Sequence, residues 1–181
     1  MNQDVSSTRK IFRTKATGNF EVRELLEAVL VSELIMPSPV IWLVSPWITD
    51  LEILDNRTAA LSALVPTWGL RRIRISEVLA SILDRTKVYV VTRPDPHNNA
   101  FLSKMEDLAR ATELSNNLVV IRQKTLHLKG LLGRDYYLSG SMNLTYNGVE
   151  INDEGVTCER SSEDIAAARI HFQENYGDVV S

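Results

Sequence analysis

The sequence has very little cysteine: Cys158 is the only one among 181 residues. A single cysteine excludes an intrachain disulfide and also zinc sites built on paired cysteines. No apolar run approaches the roughly 18 residues of a membrane span, and the N-terminal residues lack the apolar core of a signal peptide. We therefore expect a cytoplasmic protein that does not enter a membrane, with Cys158 as a small buried hydrophobe.

Positive charge is not in excess either. The chain has 20 Lys and Arg against 23 Asp and Glu, a net charge of −3, which provides no overall attraction for a polyanion. Residues 116–148 differ from the rest, because they contain four basic residues and one acid, a local charge of +3. Any polyanion must therefore be bound locally.

The length and a hydrophobic content of 44% are typical of one globular domain. We expect a flexible tail over residues 1–10 and a single domain over residues 11–181. A helix is predicted from Phe20, capped by Asn19 and ended by Pro37. Buried strands are predicted in VIWLVSPWI, KVYVVTRP and NLVVIRQ, with the helix AFLSKMEDLARATEL before the third. This alternation predicts an α/β fold in which a mixed sheet is flanked by helices on both faces.

Three further segments have weaker or different patterns. Residues 50–70 predict only a loop and a short helix, and ISEVLASILDR predicts a helix with Ser76 as its cap. LHLKGLLG and YYLSGSMNL predict a tight hairpin that turns at Arg134 and Asp135. The final helix is predicted to be capped by Ser161, with Asp164 three residues on.

The polar residues of the hairpin segment, LHLKGLLGRDYYLSGSMNLTYNGVEINDE, form a chemically coherent group. Alternation along a strand places His127 and Lys129 on one side, and Ser141 and Asn143 share a side after the hairpin. Gly140 precedes them and allows a ligand to approach the backbone. A nitrogen nucleophile, a cation, a hydroxyl and an amide are the groups that a phosphodiester requires.

The series His127-x-Lys129, Gly140-Ser141-x-Asn143 and Asn152-x-Glu154 resembles the half-site of the phospholipase D superfamily, also called the HKD superfamily. The resemblance extends from about Ile41 to the last helix, and its motifs lie in residues 126–154. In one respect the chain departs from it: the family's acid falls five residues after the lysine, where this chain has Arg134. We interpret Asp135 as the equivalent acid, shifted by one residue in a short turn.

The resemblance implies a phospholipase D-like half-unit that works as a symmetric homodimer. One copy of His127 would attack phosphorus to form a phosphohistidine, while the other protonates the leaving oxygen. Glu154 would orient the imidazole, and Lys129 and Asn143, helped by Ser141, would bind the phosphoryl oxygens. No cofactor and no metal ion are implied.

The resemblance therefore implies a metal-independent phosphodiesterase. The local basic residues, and the absence of an amphipathic membrane helix, favour DNA over lipid, and DNA rather than RNA is the expected nucleic acid. An alternative from another class is a DNA-binding or assembly subunit, with little catalysis of its own, in a prokaryotic DNA-modification or phage-defence complex that includes a helicase partner. Phospholipid hydrolysis is a third possibility. His97 and His171 are expected in a loop and on the surface, and Trp47 is a candidate for stacking on a base.

Overall fold

The computed structural model describes residues 8–13 and 20–177. Up to Arg122 strands are interspersed with three α-helices, and antiparallel strands with a last helix follow. The strands are β1 (Thr8–Arg13), β2 (Val40–Val44), β3 (Glu52–Asp55), β4 (Arg72–Arg74), β5 (Lys87–Thr92), β6 (Leu118–Arg122), β7 (Gly130–Leu132), β8 (Tyr137–Gly140) and β9 (Glu154–Glu159). The helices are α1 (Phe20–Ile35), α2 (Ile75–Ala80), α3 (Asn99–Ala111) and α4 (Ser162–Tyr176).

Seven of these strands form one mixed sheet in the order β1-β9-β8-β7-β2-β5-β6. The three strands β2, β5 and β6 run parallel to one another, whereas the pairs from β2 to β1 are antiparallel. Strand β2 lies inside the sheet, between β7 and β5, and its sequence VIWLV is apolar on both faces, as a doubly covered strand requires. The predicted mixed sheet is confirmed.

The two faces of the sheet bury separate apolar layers. Leu43 faces the layer formed with α1, α2 and α3. Its neighbours Trp42 and Val44 face the opposite layer, where Phe172 and Tyr176 of α4 cover the sheet. Strand alternation thus separates three helices from one, and the prediction of helices on both faces is confirmed.

Residues 50–70 differ from the prediction of a loop and a short helix. β3 lies in this segment and pairs with β4 in a separate two-stranded antiparallel sheet. The apolar pair Ile53 and Leu54 is buried in the layer beneath α1, and this burial stabilises the strand. With four residues, β3 is too short to show an alternation of apolar and polar residues in the sequence. Ser76 is likewise not a cap, because it lies inside α2 and its hydroxyl donates to Asp50.

At the N-terminus, β1 begins at Thr8 and pairs with β9, so the first strand overlaps the predicted tail of residues 1–10. The predicted cap Asn19 lies outside the described residues. The predicted N-terminal cap of the last helix, α4, is confirmed, since Ser161 Oγ accepts a hydrogen bond from the backbone N–H of Asp164. Over the two described ranges, no helix is long and apolar enough to cross a membrane.

Candidate active site

The candidate site lies where the parallel strands end. The chain leaves β2, β5 and β6 at their carboxyl ends, and the loops that follow begin at Ser45, Arg93 and Gln123. In open α/β sheets these ends form the usual ligand-binding edge. The same edge receives the end of β8, so the segment from Gly140 to Asn143 lies beside these loops.

His127 and Lys129 lie in an extended segment just before β7, not within a strand as predicted, because regular pairing with β2 begins at Gly130. His127 is exposed and Lys129 half-buried. The Lys129 ammonium donates to the backbone carbonyl of His127 at 2.6 Å. That bond ties the cation to the histidine's own backbone and leaves two of its three N–H groups for a ligand.

A small cavity shows that Lys129 and the end of β8 share one region. The cavity has a volume of about 30 Å³, roughly the space that one water occupies. Its lining is mainly apolar, with Leu26 and Val156 among the core residues, and Ser45, Lys129 and Gly140 also contribute. The structure thus brings the lysine of the first motif near the glycine of the second, whereas the predicted meeting of Ser141 and Asn143 with His127 and Lys129 stays a prediction.

Ser141 and Glu154 are joined directly. The Ser141 hydroxyl donates to the Glu154 carboxylate and accepts from the backbone N–H of Gly155 at 3.0 Å. Asn152 Nδ2 approaches the other Glu154 oxygen at 3.5 Å. Across the described ranges Glu154 forms no hydrogen bond with His127, so the predicted orienting role of Glu154 stays a prediction.

Gly140 is required by the backbone itself. Its φ is +146°, a conformation that side chains rarely adopt, and a Cβ there would lie 1.9 Å from the carbonyl oxygen of Gly155. From the sequence, Gly140 was expected to let a ligand approach the backbone. In the structure the absence of a side chain at Gly140 allows β9 to pack closely instead, and this places Glu154 beside Ser141.

Asn143 is held by the loop after β2. Its neighbour Leu144 donates its backbone N–H to Ser45 Oγ at 3.2 Å, and the carbonyl of Leu144 accepts from Thr49 at 2.8 Å. Gly148 packs so closely that a Cβ would lie 2.2 Å from the Asn143 carbonyl oxygen. The Asn143 Oδ1 atom is buried without a hydrogen-bond partner in the described part of the chain, so this oxygen can accept a hydrogen bond from a ligand.

A second group of polar residues, which the sequence prediction missed apart from Trp47, adjoins His127. Arg93 Nη2 lies 3.1 Å from His127 Nε2, and the Arg93 guanidinium lies 4.9 Å from the centre of the Trp47 ring. The Trp47 indole donates to Asp95 at 3.1 Å. The only sequence signal for Arg93 is its position directly after a buried parallel strand.

Asp95 is the anion of this group. A hydrogen bond from the backbone N–H of His97 is the main cause that lowers the pKa of Asp95, and the bond from Trp47 lowers it further. The positive charge of Arg93 lowers it as well. The carboxylate therefore stays ionised, and it fixes the indole that lies under Arg93.

The acid that supports the hairpin turn is Glu33 of α1, which corrects the interpretation of Asp135. Glu33 is 2% exposed and accepts from both the backbone N–H and the hydroxyl of Ser38, each at 2.6 Å. The Ser38 hydroxyl accepts in turn from the backbone N–H of Arg134 at 2.7 Å. Asp135 is exposed and accepts no hydrogen bond from the described residues. Burial, and then the negative charge of Glu33, raise the pKa of the neighbouring Tyr136 well above its usual value.

His171 is exposed on α4, and His97 is exposed beside Thr49, as predicted. Trp47 is half-buried, and Cys158 is a free, buried thiol whose pKa is raised by burial. Among residues 8–13 and 20–177, no group of three or more His, Cys, Asp or Glu side chains is arranged to hold a metal ion.

The amino-acid sequence matches no protein-family model and no curated protein. Solved structures do match. Nuc from Salmonella typhimurium, a phospholipase D family member, has a TM-score of 0.58 at 12% identity, over 94% of this chain and 93% of Nuc. NucT from Helicobacter pylori has a TM-score of 0.55 at 16% identity, over 92% of this chain and 94% of NucT.

The archaeal chromatin protein TrmBL2, whose structure shows a novel mode of DNA binding, also matches. Its TM-score is 0.51 at 13% identity, over 98% of this chain and 55% of TrmBL2. At such identities the likeness shows the fold. The chain has the same fold as Nuc, a phospholipase D family member, and is about as long as Nuc and NucT.

Proposed function

We propose, from the premise that this chain has the fold of the phospholipase D superfamily, that it is a metal-independent phosphodiesterase acting on DNA. The observation that carries the proposal is the convergence of two motifs at one edge of the sheet. Lys129 and Gly140 line one cavity, and Ser141 is bonded to Glu154. The proposed site would bring a cation, an amide and an imidazole to one phosphate, and these groups suit the transfer of a phosphoryl group.

The reaction proceeds in two balanced steps within a homodimer. The Nε2 atom of one His127 attacks phosphorus, so that an N–P bond forms and the P–O bond to the leaving oxygen breaks. The second copy's His127 gives that oxygen a proton. Water then attacks phosphorus, the N–P bond breaks, and the second histidine takes the proton from the water. The homodimer supplies both histidines from one motif.

The other site residues stabilise charge or orientation. Lys129 has two N–H groups left after its bond to the His127 carbonyl, and the Asn143 amide carries two N–H donors on Nδ2. We assign both to the non-bridging phosphoryl oxygens. Glu154, which accepts from Ser141, is assigned to the imidazole nitrogen opposite Nε2 when the dimer binds substrate.

Local charge supports DNA as the substrate. Arg122 and Lys124 are exposed at the end of β6, on the same edge as His127. Two cations beside the site can neutralise phosphates that flank the scissile one. Among the structural relatives, TrmBL2 is a DNA-binding protein by its own description. A homodimer would double the number of these cations along one DNA strand.

The test compares wild-type protein with His127→Ala in EDTA. Labelled DNA, RNA of the same sequence and phospholipid vesicles are supplied in parallel. We expect DNA cleavage by the wild type, and a loss of about a thousandfold or more in the variant because the nucleophile is removed. His171→Ala, which changes an exposed histidine on α4, is the matched control. Cleavage by His127→Ala at the wild-type rate would refute the mechanism.

A second candidate is a DNA-binding or assembly subunit of a prokaryotic DNA-modification or phage-defence complex, with a helicase among its partners. The net charge of −3 favours it, since a nuclease that acts alone on DNA gains from positive charge. Light scattering separates the two functions. A dimer at micromolar concentration supports the shared site, whereas a monomer that binds DNA without cutting it supports the subunit.

A further inference from the structure

Arg93 covers the nitrogen that the proposed reaction uses. Its Nη2 atom lies 3.1 Å from His127 Nε2, and its Nε atom donates to the Leu126 carbonyl at 2.8 Å. A guanidinium can only donate hydrogen bonds, so Nε2 must accept and therefore carries no proton in this arrangement. In this arrangement the guanidinium occupies the lone pair of Nε2.

The position of Arg93 is fixed by its surroundings. The Asn98 side chain, which is fully buried, donates to the Arg93 carbonyl at 2.9 Å and to the Pro46 carbonyl at 3.0 Å. The Trp47 ring lies beneath the guanidinium. Both supports come from the loops after β2 and β5, so the contact with His127 is built into the edge of the sheet.

Arg93 also has unused capacity for an anion. It forms no ion pair with any carboxylate of the described residues, because Asp95 is bonded instead to Trp47 and to the backbone of His97. Two of the five guanidinium N–H groups are engaged, with Leu126 and His127, and the other three are available to a ligand. A phosphodiester presents two anionic oxygens, and charge-assisted bonds from arginine to phosphate are about twice as strong as bonds to a neutral acceptor.

We infer that Arg93 is a substrate-responsive cap on His127. Without substrate its guanidinium occupies Nε2. When a phosphodiester binds, its non-bridging oxygens take the guanidinium donors, and Nε2 becomes free to face phosphorus. Arg93 then remains on the phosphate as an additional binding group beside Lys129. This inference rests on the proposed function, since it assigns a role to the nitrogen that attacks phosphorus.

The first test measures the accessibility of Nε2 without any turnover. Diethyl pyrocarbonate acylates neutral imidazole nitrogens, and mass spectrometry measures the rate at each of the three histidines. At about pH 8, where histidine is largely neutral, Arg93→Gln should react faster at His127 by about two- to tenfold, as expected for the loss of one hydrogen bond. The rate at His171 should be unchanged and serves as the internal reference.

The second test measures cleavage of a labelled DNA oligonucleotide. Arg93→Gln should lower kcat/KM by about tenfold or more, because a charge-assisted contact to phosphate is lost. Arg93→Lys should recover part of this, since it keeps the charge but not the fork of donors. The control is Arg85→Gln, which changes an exposed arginine at the opposite ends of the parallel strands and should leave both readouts unchanged.

Equal acylation rates at His127 in wild type and Arg93→Gln would overturn the cap, whatever the cleavage result. Faster acylation with unchanged kcat/KM would overturn the phosphate-binding role. Circular dichroism and the acylation rate at His97 show whether the loop after β5 is disrupted in Arg93→Gln. If it is, Arg93→Lys is used in its place. If the wild type cuts no DNA, the proposed function fails, while the acylation rates still decide whether Arg93 covers Nε2.

Discussion

Asn98 provides the most direct test of how the edge of the sheet is built. Its side chain accepts from the backbone N–H of Ile48 at 2.8 Å and donates to the carbonyls of Pro46 and Arg93. In Asn98→Ala both carbonyls keep another donor, because Pro46 accepts from Thr92 Oγ1 and Arg93 from the backbone of Asp95. Within the described parts of the chain the buried Ile48 N–H has no other hydrogen-bond partner, so it is left unsatisfied.

The expected loss follows from these bonds. One buried donor left unsatisfied costs about 1–3 kcal/mol, and two lost hydrogen bonds cost about 0.5–1.5 kcal/mol each. We expect the free energy of unfolding, measured by urea denaturation, to fall by about 3 kcal/mol. Asn99→Ala, at the exposed neighbouring position, should change it by no more than about 0.5 kcal/mol. A loss below about 1 kcal/mol in Asn98→Ala would refute the reasoning.

Three further predictions concern stability. Gly140→Ala places a Cβ 1.9 Å from the Gly155 carbonyl oxygen at a φ of +146°, so the free energy of unfolding should fall by at least about 2 kcal/mol; an unchanged urea midpoint would contradict the close approach of β9. Ser161→Ala removes the acceptor for the Asp164 N–H and should lower the free energy of unfolding by about 1 kcal/mol, whereas no change would show that the cap is dispensable. The lowered pKa of Asp95 means that its ionised form stabilises the folded state above the unfolded pKa of about 3.9, and this contribution is lost as the pH falls toward the folded pKa. Stability should therefore fall less steeply below about pH 4 in Asp95→Asn than in the wild type, and parallel pH curves would contradict this.

Part of the fold was predictable because single segments carry the signal. The runs that became β2, β5 and β6 are apolar on both faces, and such runs require a covered parallel sheet. The hairpin of β7 and β8 was predictable for a similar reason, since two apolar runs flank a short polar turn. The turn is closed by a hydrogen bond from the Gly133 N–H to the Tyr136 carbonyl at 3.1 Å.

The parts that were missed depend on contacts between distant segments. Arg93 reaches His127 only because β5 and β6 lie side by side and end at the same edge. Glu33 lies in α1, about 100 residues before the motif in which Asp135 was the candidate acid. It supports the hairpin turn through Ser38, which is bonded to the backbone of Arg134. No local pattern indicates either contact. The motif residues His127 and Lys129 were recognised, but their backbone was predicted as a strand because extended segments share its alternation.

In the proposed mechanism His127 becomes covalently attached to phosphorus. The measurement is a single-turnover reaction with a labelled DNA oligonucleotide, stopped in alkaline detergent and separated on a denaturing gel. A phosphohistidine intermediate predicts label on the wild-type protein, lost in acid and absent from His127→Ala. Complete cleavage with no labelled protein at any time, together with equal cleavage by His127→Ala, would contradict the account.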